Sequence, residues 1–305
     1  MTSLSIFSPS GVVAQPAALR RAAKRLAAAG FDVAIDAAAL ARDQRFAGDD
    51  ATRLAAIHRV AAAAPGVALA SRGGYGITRL LDGIDWKLLA RSVERGTRWV
   101  GHSDMTLLQL GLLAHAKARS WAGPMVCYDF GRMTEEHGEK PVAAVDDVTR
   151  DGFVEAMDGS LEAIGFRTDA GLDGLQVRGT LWGGNLCLLA SLLATPHWPR
   201  IRGGVLFVED VNEHPYRIER SLLQLHQAGV LDAQKAVLLG AFTEYRKSPL
   251  DRGYGLRSAV AYLRSLTKTP LLTGLPFGHV PTKVCLPVGA KVTLLVDGRD
   301  AFVGW

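Results

Sequence analysis

Cysteine is scarce in this sequence. The chain of 305 residues contains only Cys127, Cys187 and Cys285, which lie far apart in apolar surroundings and form no C-x-x-C pair. This odd, scattered set excludes a disulfide framework and the usual cysteine motifs of zinc and redox sites. We therefore expect buried free thiols in a reducing compartment, and nothing in the local sequence favours Cys127 as a nucleophile.

Long hydrophobic runs are also lacking. No apolar stretch is long enough to span a bilayer, and no secretory hydrophobic region precedes the first predicted elements. Residues 4–7 instead have the pattern of a strand, followed by the turn Ser8-Pro9-Ser10-Gly11 and by a helical pattern that stops at Gly30. We expect this segment to belong to the mature fold of a cytoplasmic protein that has no membrane partner.

The charged residues form no block of one sign. There are 35 lysines and arginines against 30 aspartates and glutamates, a net charge of +5, and the basic residues are scattered. This distribution does not favour a nucleic-acid partner. The hydrophobic fraction of 48% is that of a soluble protein able to build a full core, and the length favours two domains.

Metal and phosphate motifs are absent as well. Asp210, Glu213 and His214 lie close together, but H-E-x-x-H does not occur and no second histidine stands at ligand spacing. The glycine-rich segment 72–76 lacks the P-loop lysine and does not meet the G-x-G-x-x-G spacing. The sequence therefore predicts no metal site and no bound cofactor.

Strand and helix patterns alternate through the first part of the chain. Strand patterns cover residues 4–7, 31–35, 67–70 and 99–101, and helical patterns near 17–29, 51–63, 77–81 and 105–118 separate them. Such alternation predicts βαβ units, a parallel sheet and right-handed crossovers. In sheets of this kind, functional sites form at the carboxyl ends of the strands.

The later part of the chain has a different pattern. Residues 131–173 are polar and weakly periodic, and we interpret them as a linker region with one short helix. Strand patterns at 179–181, 204–208, 237–239 and 291–296 follow, with a helix at 218–228 and a hairpin signal at Asp297-Gly298. We predict an α/β protein: a Rossmann-like parallel-sheet domain (1–130), the linker region (131–173) and a smaller β-rich α+β domain (174–305).

Three segments each end a hydrophobic run on a reactive side chain, and these side chains are Ser103, Glu209 and His279. A serine at a strand-to-helix turn is exposed by the turn and lies at the positive end of the helix dipole. Serine is a poor nucleophile at neutral pH, so a histidine must remove its proton and a carboxylate must hold the imidazole ring. The three residues are therefore candidates for nucleophile, acid and base.

Each member of this set has an alternative. Ser103 could be an ordinary helix N-cap, because Met105 occupies the last glycine position of the G-x-S-x-G motif. Asp210 follows Glu209 directly, and strand alternation does not settle which of the two faces the site. His102 is the main competitor of His279 as base, although adjacent residues rarely point at each other.

The segment Arg72-Gly73-Gly74-Tyr75-Gly76 follows a predicted strand. Glycine lets a main chain turn sharply and approach a ligand closely. We expect the N–H of Gly73 or Gly74 to join the N–H of Asp104 in an oxyanion hole, while a plain βα turn remains the alternative. Arg72 is a candidate for binding a substrate carboxylate through its guanidinium, and Tyr75 for lining the pocket.

A second glycine segment, Trp182-Gly183-Gly184-Asn185, opens an apolar helix. We expect Trp182 and Asn185 to line the substrate pocket, with Asn185 hydrogen bonded to backbone or substrate. The alternative is that this segment only packs two domains together.

Taken together, these segments resemble the LD-carboxypeptidase (muramoyltetrapeptide carboxypeptidase) family of serine peptidases. The resemblance runs through nearly the whole chain in one order. Its segments are 8–11, 45–48, 72–76 with 79–81, 101–106, 123–125, 179–186, 209–220 and 275–279. The connection around 131–150 departs from it, since no clear motif occurs there.

The resemblance implies Ser103 as nucleophile, Glu209 as acid and His279 as base, with an oxyanion hole from Asp104 and the glycine segment. It also implies a site between two domains, a homodimer and a small muropeptide substrate. The implied reaction removes terminal D-Ala from muropeptide tetrapeptides during peptidoglycan recycling in the cytoplasm. Two alternatives remain: cleavage of a peptide–nucleotide antibiotic, as in some members of the family, or a non-catalytic α/β module that binds an anion.

Overall fold

A computed structural model describes residues 1–133, 145–169 and 171–305 of the chain. The strands are β1 (Thr2–Phe7), β2 (Phe31–Ile35), β3 (Val67–Ala70), β4 (Arg98–Gly101), β5 (Ser120–Ala122), β6 (Ala163–Arg167), β7 (Gln176–Asn185), β8 (Val205–Val211), β9 (Ala236–Thr243), β10 (Leu271–Leu272), β11 (Leu286–Val288), β12 (Lys291–Asp297) and β13 (Asp300–Gly304).

The α-helices lie between these strands and cover them. They are α1 (Pro16–Ala28), α2 (Asp50–Ala63), α3 (Trp86–Glu94), α4 (Met105–Ala116), α5 (Asp147–Asp158), α6 (Leu186–Ser191), α7 (Pro215–Gln227) and α8 (Leu256–Leu266). Short 3-10 turns occur at Ile77–Arg79, Leu81–Gly83 and Pro249–Asp251, and a π-helical turn at Val126–Phe130.

The strands form two sheets. The first has the order β11-β5-β4-β3-β1-β2, in which β1 to β5 run parallel and β11 is an antiparallel edge strand. The second has the order β10-β9-β8-β7-β12-β13-β6; its β7 to β10 half is parallel, and β12, β13 and β6 are antiparallel. The predicted α/β class, with a parallel N-terminal sheet and a separate C-terminal sheet, is confirmed.

The chain crosses from the first sheet to the second between β5 and β6, and it crosses again on either side of β11. Helix α5 and strand β6 lie inside the predicted linker region 131–173, and β6 pairs with β13 of the second sheet. Strand β11 returns from the C-terminal part to the first sheet. Residues 134–144 and 170 of the linker region lie outside the described residues, and the domain boundaries stay a prediction.

The helix predicted near 77–81 is instead a pair of 3-10 turns. The segment is bounded by Gly76 and Gly83, which makes it too short for an α-helix to nucleate and propagate. Helices α3 and α8 were not predicted. Within the described parts of the chain, no helix combines the length and the apolar character that crossing a bilayer needs.

Helix α4 joins the two halves of the core. Every residue from Met105 to Leu113 is buried, and the helix contacts β5 of the first sheet as well as β7 and α6 of the second half. A helix that is apolar on all sides is expected to lie inside a protein rather than on its surface. The N-terminus of α4, where Ser103 lies, is therefore held by packing from both sheets.

Candidate active site

Ser103 lies in a sharp turn between β4 and α4. Its φ angle of 59° is in the left-handed region, where a residue with a side chain is strained. The Ser103 carbonyl accepts the N–H of Thr106, so the helix begins directly after the turn. The strand-turn-helix context predicted for this serine is present, and the turn places the hydroxyl at the positive end of α4.

The glycine segment packs directly against this turn. A Cβ atom added to Gly73 would lie 2.7 Å from both Cβ and Oγ of Ser103 and 3.4 Å from the Asp104 nitrogen. A Cβ added to Gly74, whose φ is 111°, would instead approach Gly11. Of the two predicted glycines, Gly73 is therefore the one that touches Ser103. Among the described residues, the N–H groups of Gly73 and Asp104 have no intramolecular acceptor.

The side chain of Asp104 fixes the other end of the glycine segment. It is fully buried, and its Oδ2 accepts the N–H of Ile77 at 2.9 Å. Burial raises the pKa of Asp104 to about 6, against the hydrogen bond from Ile77, which favours the charged form. Asp104 thus carries an N–H without an acceptor among the described residues, and its side chain ties the turn of Ser103 to the segment that contains Gly73.

Glu209 and His279 form a buried hydrogen-bonded pair. The Nδ1–H of His279 donates to Glu209 Oε2 at 2.8 Å, and Glu209 in β8 is fully buried. A carboxylate can only accept, so in the neutral ring the proton is on Nδ1 and Nε2 is free to accept another. Burial lowers the pKa of His279, but the hydrogen bond and charge of Glu209 outweigh it and raise the pKa above its ordinary value.

Asp210 points to different partners. Its Oδ1 accepts from Asn185 Nδ2 and from the Val211 N–H, both at 2.9 Å, and its Oδ2 accepts the Cys187 N–H. Burial raises its pKa to about 6. An irregularity of the β8–β9 pairing falls between Val208 and Asp210, at the point where the two carboxylates diverge. Glu209, and not Asp210, is therefore the carboxylate that contacts His279.

His102 lies beside this pair without a carboxylate of its own. Its Nδ1–H donates to the Gly123 carbonyl at 2.9 Å, and its ring stands edge-on to His279 with centroids 5.0 Å apart. Burial, followed by the nearby charges of Lys283 and His279, lowers the pKa of His102 well below its ordinary value. A neutral, buried His102 forms a wall of the site.

A cavity of about 620 Å³ opens next to these residues. Its lining includes Arg72, His102 and His279, and also Asp129 and Lys283, which were not predicted. No local sequence pattern points to Asp129 or Lys283, because neither occurs in a recognisable motif and they are far apart in the chain. The Lys283 ammonium donates to Asp129 Oδ1, and both side chains are buried.

The four predicted substrate-binding residues have different positions. Arg72 lines the cavity, with its Nε on the Gly73 carbonyl and its Nη1 on the Val12 carbonyl, at 3.3 and 3.1 Å. Tyr75 is exposed and packs against Phe46 outside the cavity lining.

Trp182 and Asn185 require corrections. Trp182 is fully buried, donates from Nε1 to Gln234 and packs edge-on against Trp198, so it is a core residue that a substrate cannot reach. Asn185 caps α6 and donates from Nδ2 to Glu209 Oε1 at 3.3 Å. It therefore contacts the carboxylate of the pair and does not line the cavity.

The residues considered for a metal have separate partners. His214 binds Asp251 at 3.0 Å, Glu213 pairs with Arg217, and Asp210 accepts from Asn185. The ranges 1–133, 145–169 and 171–305 contain no cluster of three potential metal ligands among His, Cys, Asp and Glu. Burial raises the pKa of Cys127 to about 11, which keeps this thiol protonated and unreactive at neutral pH.

Comparison with known proteins identifies the family. Residues 4–123 match the LD-carboxypeptidase N-terminal domain, and residues 178–294 match the LD-carboxypeptidase C-terminal domain. The murein tetrapeptide carboxypeptidase of Pseudomonas aeruginosa is 30% identical over 231 residues, which cover 73% of this chain and 70% of that protein.

Solved structures agree with these matches. The crystal structure of a muramoyltetrapeptide carboxypeptidase from Oxalobacter formigenes superposes with a TM-score of 0.87 at 39% identity, covering 99% of this chain and 98% of the other. The microcin C7 self-immunity protein MccF, solved with glutamyl sulfamoyl guanosine, reaches a TM-score of 0.84 at 20% identity, covering 100% of this chain and 96% of the other. This second likeness concerns the fold alone. The chain thus belongs to the LD-carboxypeptidase family and is a carboxypeptidase hydrolase.

Proposed function

We propose that this enzyme is a serine carboxypeptidase that releases terminal D-Ala from muropeptide tetrapeptides. The bond cleaved joins the carbonyl at the L-centre of the diamino acid to the nitrogen of D-Ala. The observation that carries this proposal is the 2.8 Å hydrogen bond between Glu209 and His279. The His279 ring lines the cavity together with His102, the residue that precedes Ser103 in its strained turn. The matched murein and muramoyltetrapeptide carboxypeptidases support the substrate class.

Acylation follows from the chemistry of these groups. The free Nε2 of His279 takes the proton of Ser103 Oγ, which attacks the scissile carbonyl to form a tetrahedral intermediate. The N–H groups of Asp104 and Gly73 donate to its oxyanion. His279 then gives the proton to the D-Ala nitrogen, the C–N bond breaks, and the diamino acid carbonyl remains as an ester on Ser103.

Deacylation repeats the cycle with water. His279 removes a proton from a water molecule, hydroxide adds to the ester carbonyl, and the proton returns to Ser103 Oγ as the C–O bond breaks. Glu209 holds the Nδ1–H of His279 throughout and stabilises the charged ring. Asn185, which donates to the second oxygen of Glu209, keeps that carboxylate aligned.

Mass spectrometry of the purified enzyme with a muropeptide tetrapeptide tests the reaction. We expect a single product pair, the tripeptide and free D-Ala. The same reaction in ¹⁸O water should place one ¹⁸O in the tripeptide carboxylate, because hydrolysis of the acyl-enzyme adds a water oxygen there. Loss of any other fragment, or an intact tetrapeptide, would contradict the proposed function.

Cleavage of a peptide–nucleotide antibiotic is the second candidate from the same family. It would need an aromatic surface for the nucleobase, and Trp182 is too buried to provide one. Among the described residues that line the cavity, Tyr128 is exposed and is the aromatic side chain that a nucleobase could contact. An aminoacyl sulfamoyl nucleoside offered in competition with the tetrapeptide separates the two, and we expect the tetrapeptide to be the faster substrate.

The homodimer and the cytoplasmic location also belong to this proposal. Both follow from the resemblance to the family. Light scattering of the purified protein across a concentration series measures the first, and fractionation of the producing cell measures the second. A measured mass of one chain at every protein concentration would contradict the predicted homodimer.

A further inference from the structure

The wall of the cavity contains a buried ion pair that the proposed triad does not use. Lys283 is 2% exposed and Asp129 is 5% exposed. The Lys283 ammonium donates to Asp129 Oδ1 and to the Val280 carbonyl, the latter at 2.6 Å. The other oxygen of Asp129 accepts the Met125 N–H at 2.7 Å. Val280 and Lys283 lie in the loop after His279, Asp129 lies in the π-helical turn, and Met125 directly precedes that turn.

Stability alone does not explain this pair. Burying two charges costs desolvation free energy that their attraction often fails to recover, so a well-packed apolar pair would serve a core equally well. A lysine ammonium has three N–H donors. Among the described residues, two of them are occupied by Asp129 and Val280. One donor therefore remains on a cation that lines the cavity.

The cation lies on the His279 side of the site. Lys283 belongs to the same loop as His279, and the carbonyl it binds belongs to Val280, the residue next to His279. Its charge is close enough to act on both histidines: after burial, it is the next cause that lowers the pKa of His102, and it opposes the raised pKa of His279.

The stereochemistry of acyl transfer places the leaving group on this side too. The imidazole that protonates the departing nitrogen must lie next to it. In a carboxypeptidase the leaving group is a single amino acid, so its carboxylate is only two bonds from that nitrogen. A cation that binds this carboxylate must accordingly stand beside the histidine, and not beside the oxyanion hole.

We propose that the Lys283 ammonium, held in place by Asp129, is the binding site for the terminal carboxylate of the substrate. This inference rests on the proposed carboxypeptidase function. Arg72 is the competing cation, but two of its nitrogens donate to carbonyls, one to Gly73 in the glycine segment beside Ser103 and one to Val12. Arg72 remains suited to another carboxylate of the muropeptide.

Two matched substrates test the assignment: the tetrapeptide ending in D-Ala and the same peptide ending in D-alaninamide. Release of the terminal unit is measured as kcat/KM for both with the wild type, Lys283→Met and Arg72→Gln. We expect the wild type to prefer the free acid by roughly tenfold to a hundredfold, the range of one charge-assisted hydrogen bond. Lys283→Met should reduce that preference to within about threefold, and Arg72→Gln should retain it.

The single variant leaves Asp129 buried without its partner, so it can lose stability. The double variant Lys283→Met with Asp129→Asn removes both charges together and should show the same loss of preference at a melting temperature nearer the wild type. The preference is a ratio, so a loss of folded enzyme cancels from it.

Other outcomes would overturn the inference. An equal fall of kcat/KM for both substrates in Lys283→Met, with an unchanged ratio, would mean that Lys283 only maintains the conformation of the loop that contains His279. Loss of the preference for the free acid in Arg72→Gln would show that Arg72, and not Lys283, binds the terminal carboxylate. Release of neither terminal unit by the wild type would overturn the proposed function itself, and this inference with it.

Discussion

At the residue scale, side chains that the sequence does not distinguish have different hydrogen-bond partners in the structure. Glu209 and Asp210 are adjacent and both buried, yet only Glu209 reaches His279. His102 and His279 stand edge to edge, yet only His279 has a carboxylate partner. In each pair the difference is a hydrogen bond made across a long stretch of sequence.

Replacing Ser103 by alanine should abolish turnover. In the proposed mechanism, the hydroxyl oxygen of Ser103 is the only protein atom that forms a covalent bond to the substrate carbonyl carbon. Loss of such a nucleophile costs roughly a million-fold in kcat. D-Ala release from the tetrapeptide measures the effect. Ser191→Ala is the control that should retain activity, because Ser191 is an exposed serine of α6 outside the cavity lining. A Ser103→Ala enzyme within about tenfold of the wild type would eliminate Ser103 as nucleophile.

Replacing Glu209 by glutamine should change both the rate and its pH dependence. The base must be neutral, so kcat/KM rises with pH through the pKa of His279, which Glu209 raises. Without the carboxylate, burial dominates, and the rise should move to lower pH. The lost control of the ring tautomer should lower kcat by about 10⁴.

The pH profile of kcat/KM between acid and neutral pH measures this shift. Glu162→Gln is the control, because Glu162 is an exposed carboxylate away from the site and its loss should leave the profile unchanged. A Glu209→Gln profile that rises at the same pH as the wild type would show that His279 does not control the acid limb.

At the scale of elements, the site depends on how closely segments approach one another. The turn before α4 and the glycine segment after β3 are in van der Waals contact, and this contact admits no side chain at Gly73. The carboxyl ends of β3 and β4, two neighbouring parallel strands, bring the segments together. The pattern of alternating strands and helices predicted this edge of the sheet.

Replacing Gly73 by alanine should therefore impair catalysis more than folding. The new methyl group would lie 2.7 Å from Ser103 Cβ and Oγ, so the serine or the glycine segment must shift. Displacing one oxyanion donor costs about 10²–10³ in kcat. Steady-state kinetics and a thermal melt should show a large loss of kcat with a small change in melting temperature.

The matched control is Gly152→Ala in α5. A Cβ at Gly152 meets nothing within 4 Å, so this change should keep full activity and stabilise the helix by up to about 1 kcal/mol. Wild-type kcat in Gly73→Ala would contradict the close approach of the two segments.

At the scale of the whole molecule, helix α4 connects the two sheets, and with them the turn of Ser103 and the strand that carries Glu209. Thr106, in the first turn of α4, is fully buried, and its Oγ1 accepts the Asn185 N–H at 2.9 Å. Asn185 in turn donates to Glu209. The turn that contains Ser103 and the carboxylate of Glu209 are therefore linked through the Thr106 hydroxyl and Asn185, between the two sheets.

Replacing Thr106 by valine removes that link while keeping the shape of the side chain. The buried Asn185 N–H would lose its acceptor, which should lower the free energy of unfolding by about 1–3 kcal/mol. Urea denaturation measures the loss, and kinetics should show a lower kcat, because Asn185 also contacts Glu209. Thr293→Val, on an exposed position of β12, should change neither quantity. Unchanged stability in Thr106→Val would contradict the proposed coupling.

The sequence by itself determined the α/β class and most of the strands of the first sheet, and it predicted Ser103, Glu209 and His279 as candidates for the site. These follow from local periodicity, glycine positions and chain order, which the sequence displays directly. The resemblance of the chain's motifs to the LD-carboxypeptidase family added the family assignment, which the two matched domains confirm.

Only the tertiary structure decided which carboxylate meets His279, that Trp182 is core, and that Lys283 and Asp129 pair in the cavity wall. The last two residues are 154 positions apart. Contacts between residues so far apart in the chain arise from the packing of whole helices and strands. The same packing buries a side chain and so determines its partner and its charge state. A local sequence pattern therefore does not predict these contacts.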